Sequence, residues 1–374
     1  MRSYPAEKRI REHLAIAYLL AVLTGLVMIY STSSILAESR FGSHFYFLKQ
    51  QLMWFAVSVA AIWFIYKLDL KKIAVYSAPA ILLLLLALSL VFLMPARNGS
   101  HRWLMVGPLT AQPSELFKFM MIVYLSFSLS NPKRNIADLK QLLFPYVPMI
   151  GLGLVLILME PDLGTTIVIF VTAISIFYLA GARMKHMLMG LTPLVGIASF
   201  VVFVLGYKQQ RILDYAAAVG DPLKGSYQAM QAALTLGAGG LLGTGLGEGR
   251  QKLFFLPYPH TDFIFAATGE EIGLIGLTAL MALLLYMLLR GMKIAAAQPD
   301  KFGFLLASGM TLSLFINIAI NLGVVTSLLP VTGLALPFVS YGGSSLLISS
   351  ASIGVLLNLS KRMVPGQWQT KRSG

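Results

Sequence analysis

Leu256-Pro257-Tyr258-Pro259-His260-Thr261-Asp262-Phe263-Ile264-Phe265-Ala266-Ala267-Thr268-Gly269-Glu270-Glu271-Ile272-Gly273 passes from a polar, proline-rich segment into an apolar helix that carries carboxylates. The two prolines keep Tyr258 and its neighbours extended, and His260, Thr261 or Asp262 can cap a helix beginning near Phe263. Asp262 therefore sits at a boundary between polar and apolar surroundings. Glu270 and Glu271 follow two turns later, roughly 12 Å further along at about 1.5 Å per residue. If that helix crosses a membrane, they lie where an ionised group is expensive.

The rest of the chain makes the membrane reading firm. Its 374 residues are 57% hydrophobic and 12% charged, with a mean hydropathy of +0.76, whereas a soluble domain is about a quarter charged. Runs of 17 to 25 apolar residues mark spans near 13–31, 47–66, 74–94, 114–130, 141–159, 164–180, 188–206, 264–289, 303–325 and 345–360. The expected fold is thus an all-α polytopic membrane protein of ten transmembrane helices, forming a single domain over 1–374, with a large extracytoplasmic loop at 207–262 between helices 7 and 8. A loop of that length without its own fold is usually functional.

The net charge of +14 would suggest nucleic acid in a soluble chain, but here the basic residues are better counted by loop. With the N-terminus inside, 19 Lys and Arg residues fall on the cytoplasmic side against 9 outside. That bias puts both termini in the cytoplasm, with membrane lipids and not nucleic acid facing the charge. No cleavable signal peptide is expected, because the first apolar run is long enough to span and lacks a small-residue cleavage site. The chain has no cysteine, and its five histidines have no ligand spacing, so neither a disulfide nor a built-in metal site is expected.

On that topology the polar residues gather at the outer side. Pro113 and Glu115 open a helix on which Glu115 and Lys118, spaced i and i+3, can neutralise each other. Asp162, in Glu160-Pro161-Asp162-Leu163-Gly164-Thr165, can cap the next-but-one span. The run from Gly237 to Lys252 is rich in glycine but has neither a GxxxxGK[ST] nor a GxGxxG register. Its backbone amides beside Arg250 and Lys252 can bind either a pyrophosphate or nothing, as a re-entrant turn. Leu329 to Ser345 holds small and hydroxylated residues that allow a cavity wall. Asn317 and Asn321, spaced i and i+4, suit helix packing.

Four ordered stretches, Arg102-Trp103 to Lys118, Glu160 to Thr165, Gln251 to Gly276 and Leu328 to Ser345, resemble the SEDS family of RodA, FtsW and SpoVE. The resemblance runs over essentially the whole chain, and Gly245-Leu246-Gly247 followed by Gln251-Lys252-Leu253 is more similar to FtsW and SpoVE than to RodA. One departure is Tyr258, where many members have an acidic residue. The resemblance implies a peptidoglycan glycosyltransferase that polymerises lipid II at the outer face of the bacterial cytoplasmic membrane, working with a class B penicillin-binding transpeptidase. It implies Asp262, in His-Thr-Asp-Phe, as catalytic general base. Candidate substrate-binding residues are Arg102, Glu115, Lys118, Asp162, Arg250, Lys252, His260, Thr261, Ser340, Tyr341, Gly342 and Ser344. No tightly bound cofactor is expected; a divalent cation can sit between carboxylate and phosphates. The rival readings are a lipid II flippase, which calls for midplane charges and repeated half-helices, and a non-catalytic scaffold for the transpeptidase.

Overall fold

The computed structural model describes residues 5–95, 102–106, 109–134, 146–183, 209–220, 225–249 and 255–364, with a few isolated positions between them. It is mostly helical. In chain order the elements are α1 (Pro5–Phe41), α2 (Tyr46–Lys67), the short α3 (Leu70–Ala74), α4 (Ser77–Val91), a hairpin of β1 (Leu104–Val106) and β2 (Leu109–Ala111), and α5 (Pro113–Leu129). There follow α6 (Leu152–Met159), entered through a π turn at Val147–Gly151, α7 (Leu163–Ala180), α8 (Gln209–Gly220), α9 (Tyr227–Ala238), α10 (Ile264–Ala296), α11 (Lys301–Val325) and α12 (Gly343–Leu359).

Among the described residues six helical segments are long and apolar enough to cross a membrane: Lys8–Phe41, Tyr46–Lys67, Leu163–Ala180, Ile264–Ala296, Lys301–Val325 and Gly343–Arg362. The expected spans at 74–94, 114–130 and 141–159 fall on the shorter helices α4, α5 and α6, and the one at 188–206 lies almost wholly outside the described residues. α11 and α12 are the innermost of the six, buried over most of their length, whereas α2 turns most of its surface outward. Exposed Leu, Val, Phe and Trp side chains on α1, α2 and α4 form the rim expected when the surrounding solvent is lipid.

Polar side chains tie the packed helices where apolar burial alone gives no directional force. α12 packs most extensively on α2, and Asn358 Nδ2 donates to the carbonyls of Ile65, Tyr66 and Leu68 at 2.9, 3.0 and 2.8 Å. These are orphan acceptors at the C-terminal end of α2. Tyr18 of α1 reaches Ser350 of α12 at 2.9 Å.

Two expectations need correction. Residues 32–41, between the expected spans 13–31 and 47–66, are helix: α1 runs on to Phe41, because no glycine or proline lies between Gly25 and Gly42, whose φ of +67° ends it. The segment 207–262 is not structureless either, since it contains α8 and α9.

The glycine-rich run has a structural task. α10 is broken at Gly273, with φ +68° and ψ −176°. The carbonyls of Glu270 and Glu271 are taken up instead by the amides of Thr244 and Gly245, at 2.9 and 3.1 Å. In return the amides of Leu274 and Ile275 donate to the carbonyls of Gly240 and Leu241, at 3.0 and 3.2 Å. The run thus splices itself into the helix break, and these two carbonyls and two amides find backbone partners there. The Glu271 carboxylate completes the join by accepting the Ser31 hydroxyl at 2.6 Å and the Gly247 amide at 3.1 Å.

A Cβ at Gly243, whose φ is +82°, would stand 2.2 Å from the Glu271 carbonyl oxygen. Gly243→Ala is expected to lower the thermal unfolding midpoint in detergent much more than Gly247→Ala. The latter residue, at φ +85°, faces open space and loses only the backbone term of about 1 kcal/mol. Equal midpoints for the two variants would contradict the splice.

Candidate functional site

Asp262 is partly buried immediately before α10, whose N-cap is Phe263 with no side-chain cap. The capping reading is therefore corrected: the helix starts without the Asp262 carboxylate, which is left available for other work. The backbone around it is fixed from three sides. Asn321 Nδ2 of α11 forks to the Asp262 carbonyl at 2.9 Å and the Leu334 carbonyl at 2.7 Å. The Ser340 hydroxyl donates to the Thr261 carbonyl at 2.6 Å and accepts from the Leu336 amide at 2.8 Å. The Tyr341 amide donates to the His260 carbonyl at 2.9 Å.

The loop 329–342 thus runs beside the catalytic candidate, and Gly333 lies close to its carboxylate: a Cβ there would lie 3.7 Å from Asp262 Oδ2. Gln51 of α2 anchors that loop in turn. Its amide group donates to the Ser340 carbonyl at 3.3 Å and accepts from the Gly342 amide at 3.2 Å.

A second cluster lies beside the first. Asp162 caps α7, accepting from the Thr165 amide at 3.1 Å and the Thr165 hydroxyl at 2.9 Å, and takes a further bond from Gln112 Nε2 at 3.0 Å. Arg102 is held rigidly: Nε donates to the Glu160 carbonyl at 2.9 Å, Nη2 donates to the Pro161 carbonyl, and Nη1 stands 3.9 Å from Asp162 Oδ2. Ser344 accepts from the Gln112 amide and donates to the Thr110 carbonyl, both at 3.2 Å, which joins the β hairpin to the start of α12.

Charge links the clusters. Burial pushes the Asp262 carboxyl up to about 6, with Arg102 opposing that rise, Asp162 adding to it, and Arg211 and the Thr261 hydroxyl opposing it. Burial also pushes the Glu160 carboxyl up to about 8, helped by Asp162 and resisted by Arg102. It is fully buried, and neither oxygen has a hydrogen-bond partner among the described residues. Glu160 is consequently a neutral acid near pH 7. His260 is lowered to about 4 by burial and by Arg40, so its imidazole is neutral too.

The structure brings Arg102, Asp162, His260, Thr261, Asp262, Ser340, Tyr341, Gly342 and Ser344 into one connected network. Glu115 and Lys118 form a buried ion pair at 2.8 and 3.0 Å, and the cations whose charge bears on Asp262 are Arg102 and Arg211 rather than Lys118. Arg250 and Lys252 lie outside the described residues; the neighbouring amides of Thr244, Gly245 and Gly247 are spent on the helix break. Sequence reasoning missed three contributors. Asn321 was assigned to packing although it holds the Asp262 backbone. Gln112 carried no signal beyond its place before Pro113. Arg211, which also donates to the Val331 carbonyl at 3.0 Å, sits in an unremarkable polar stretch.

A cleft of about 680 Å³ opens beside Thr261, between the C-terminal end of α1, the N-terminal half of α2, the β hairpin and the 256–261 segment. Its size is that of a ligand pocket. Among the described residues no three His, Asp or Glu side chains are grouped to hold a metal ion, and the Asp162 oxygens are already engaged. A cation held here would need most of its ligands from substrate phosphates and water, the usual situation of Mg²⁺.

The raised acid at Glu160 has a measurable consequence. Between its ordinary value of 4.5 and about 8 the folded chain holds a proton that the unfolded chain has released, so stability falls as pH rises through that window. Glu160→Gln, which keeps the shape without the titration, is expected to flatten the fall in thermal midpoint between pH 5 and 8. A slope identical to the parent protein's would contradict a buried neutral Glu160.

Residues 11–364 match the cell cycle protein family of FtsW, RodA and SpoVE. The chain is 40% identical to stage V sporulation protein E of Bacillus subtilis, covering 93% of this chain and 96% of that protein. It is 39% identical to the probable peptidoglycan glycosyltransferase FtsW of Geobacter metallireducens, covering 94% and 96%. Among solved structures it is similar to a chain of a peptidoglycan synthase complex that coordinates polymerization and crosslinking (TM-score 0.76, 26% identity, 93% and 96% covered). It is also similar to the rod shape determining protein RodA of Thermus thermophilus (TM-score 0.69, 26% identity, 94% and 97% covered). A match over nearly its whole length makes this chain a member of the FtsW, RodA and SpoVE family.

Proposed function

We propose that the chain is a peptidoglycan glycosyltransferase that polymerises lipid II into glycan strands for division or elongation, with Asp262 as general base. The observation that carries this reading is a partly buried carboxylate, not used as a helix cap, whose backbone is fixed by Asn321 and Ser340 and whose charge is balanced by Arg102. In the reaction, Asp262 accepts the proton of the acceptor sugar's 4-hydroxyl. The hydroxyl oxygen bonds to the anomeric carbon of the donor as the bond from that carbon to the polyprenyl pyrophosphate breaks, and the leaving group departs with the electron pair. So good a leaving group needs no proton donor.

Arg102 and Arg211 are the described cations best placed to offset the negative charge of the pyrophosphate, with Lys118, Arg250 and Lys252 as further candidates in the outer leaflet. His260, Thr261, Ser340, Tyr341, Gly342, Ser344 and the Glu115–Lys118 pair shape the walls. Asp262 is the carboxylate that would hold a divalent cation, which would supply charge neutralisation for the phosphates. The membrane domain is a single unit of ten spans, the six long helices with α4, α5, α6 and the stretch 188–206. It has both termini cytoplasmic in the bacterial inner membrane and an outer segment 207–262 that carries α8 and α9. A class B penicillin-binding transpeptidase is the expected partner, in keeping with the polymerization and crosslinking complex to which the fold is similar.

The carboxylate form is the base, so the rate of glycan formation from lipid II is expected to rise with pH and reach half its plateau near pH 6. Arg102 holds the Asp262 carboxyl down, so Arg102→Ala moves that limb to higher pH as well as lowering the plateau. The assay uses purified protein with its transpeptidase and a labelled lipid II. A wild-type profile flat between pH 5 and 8, or translocation of lipid II across liposomes without any polymer, would contradict the proposal.

A further inference from the structure

The cleft beside Thr261 is not required by the proton transfer, and its lining is unlike that of the cationic side of the site. Phe41 and Tyr46 stack with ring centroids 3.8 Å apart at its rim, Tyr258 and Trp103 add further rings, and Tyr258 and Phe41 are about half exposed. Tyr258 is held at a φ of +53°, a left-handed backbone that a bulky residue adopts only under the constraint of its surroundings. That strain fixes an aromatic side chain at the cleft.

His260 forms part of the wall, clamped between Phe47 at 4.6 Å and Tyr341 at 5.7 Å. It is more than nine-tenths buried, yet its Nδ1 has no hydrogen-bond partner among the described residues. A buried polar atom left in that condition costs free energy unless a ligand or water meets it.

Aromatic faces interspersed with polar groups, Gln50, Thr110, Thr261 and the unpartnered His260 Nδ1 among them, suit a ligand having both apolar C–H faces and hydroxyl or amide groups around its edge. Pyranose rings have that character. A pyrophosphate does not, because Arg40 is the cleft's one cation among its lining residues, whereas Arg102 and Arg211 bear on Asp262 from elsewhere. Thr261 lines the cleft and directly precedes the candidate base, which puts a sugar seated there beside the segment that carries Asp262.

We propose that this cleft is the saccharide subsite of the acceptor, binding N-acetylated amino-sugar rings against Phe41, Tyr258 and Trp103, with His260 Nδ1 meeting a hydroxyl or acetamido group. The inference rests on the transferase reading for the identity of the sugar, and it places the two poles of the substrate pair apart: rings in the aromatic cleft, pyrophosphate toward Arg102.

The test titrates the full-length protein in detergent with two probes, followed by saturation-transfer NMR. One probe is a soluble β-1,4-linked N-acetylated amino-sugar disaccharide carrying no phosphate or lipid; the other is a polyprenyl pyrophosphate carrying no sugar. Phe41→Ala and Tyr258→Ala, both at half-exposed positions, are each expected to weaken disaccharide binding by about tenfold. They should also raise KM for lipid II more than they lower kcat, and leave polyprenyl pyrophosphate binding unchanged. Disaccharide binding that is absent in the parent protein or unaffected by both substitutions overturns the subsite, as does loss of pyrophosphate binding with saccharide binding intact. Binding of the disaccharide, sensitive to both substitutions, by a parent protein that forms no glycan would keep the subsite and sink the transferase reading.

Discussion

A carboxylate at the edge of a membrane core is stable only if something offsets its lost hydration. In this chain the offset for Asp262 comes from Arg102, whose position depends on two main-chain carbonyls, those of Glu160 and Pro161. Backbone, not a paired side chain, fixes that guanidinium. The arrangement holds the charge near Asp262 without a tight ion pair that would lower its basicity, and the carboxyl stays raised to about 6. That balance is what the general-base role proposed for Asp262 requires.

The same economy of backbone groups recurs through the fold. The Asn321 fork, the Ser340 bridge and the Asn358 cap each satisfy carbonyls that irregular segments leave open. At Gly273 a whole helix is interrupted, and the glycine-rich run supplies the missing partners. Non-helical backbone inside a membrane bundle is tolerable only where protein or water meets each of its polar groups.

Much of this was legible in the sequence because apolar runs and outer-side polar clusters are one-dimensional signals. The expected spans other than the one at 188–206 fall largely on helices, and the ordered motifs point to the family. The glycine-rich run was harder: its composition fits an anion cradle and a backbone splice equally well, and only the pairing with Glu270 and Glu271 separates them. The roles of Asn321 and Arg211 depend on residues 59 and 51 positions from Asp262 along the chain, a relation that no local spacing records. α8 and α9 were missed for another reason, since a segment read as one long loop hides short amphipathic helices.

The most direct test of the account is polymerisation of labelled lipid II by purified protein with its transpeptidase partner, comparing the parent chain with Asp262→Asn and Asp262→Ala. The account predicts that both variants keep the parent's fold and partner binding and make no glycan chains. Glycan synthesis by either folded variant at a rate within about tenfold of the parent's would contradict it, because loss of a general base costs about 10²- to 10⁴-fold.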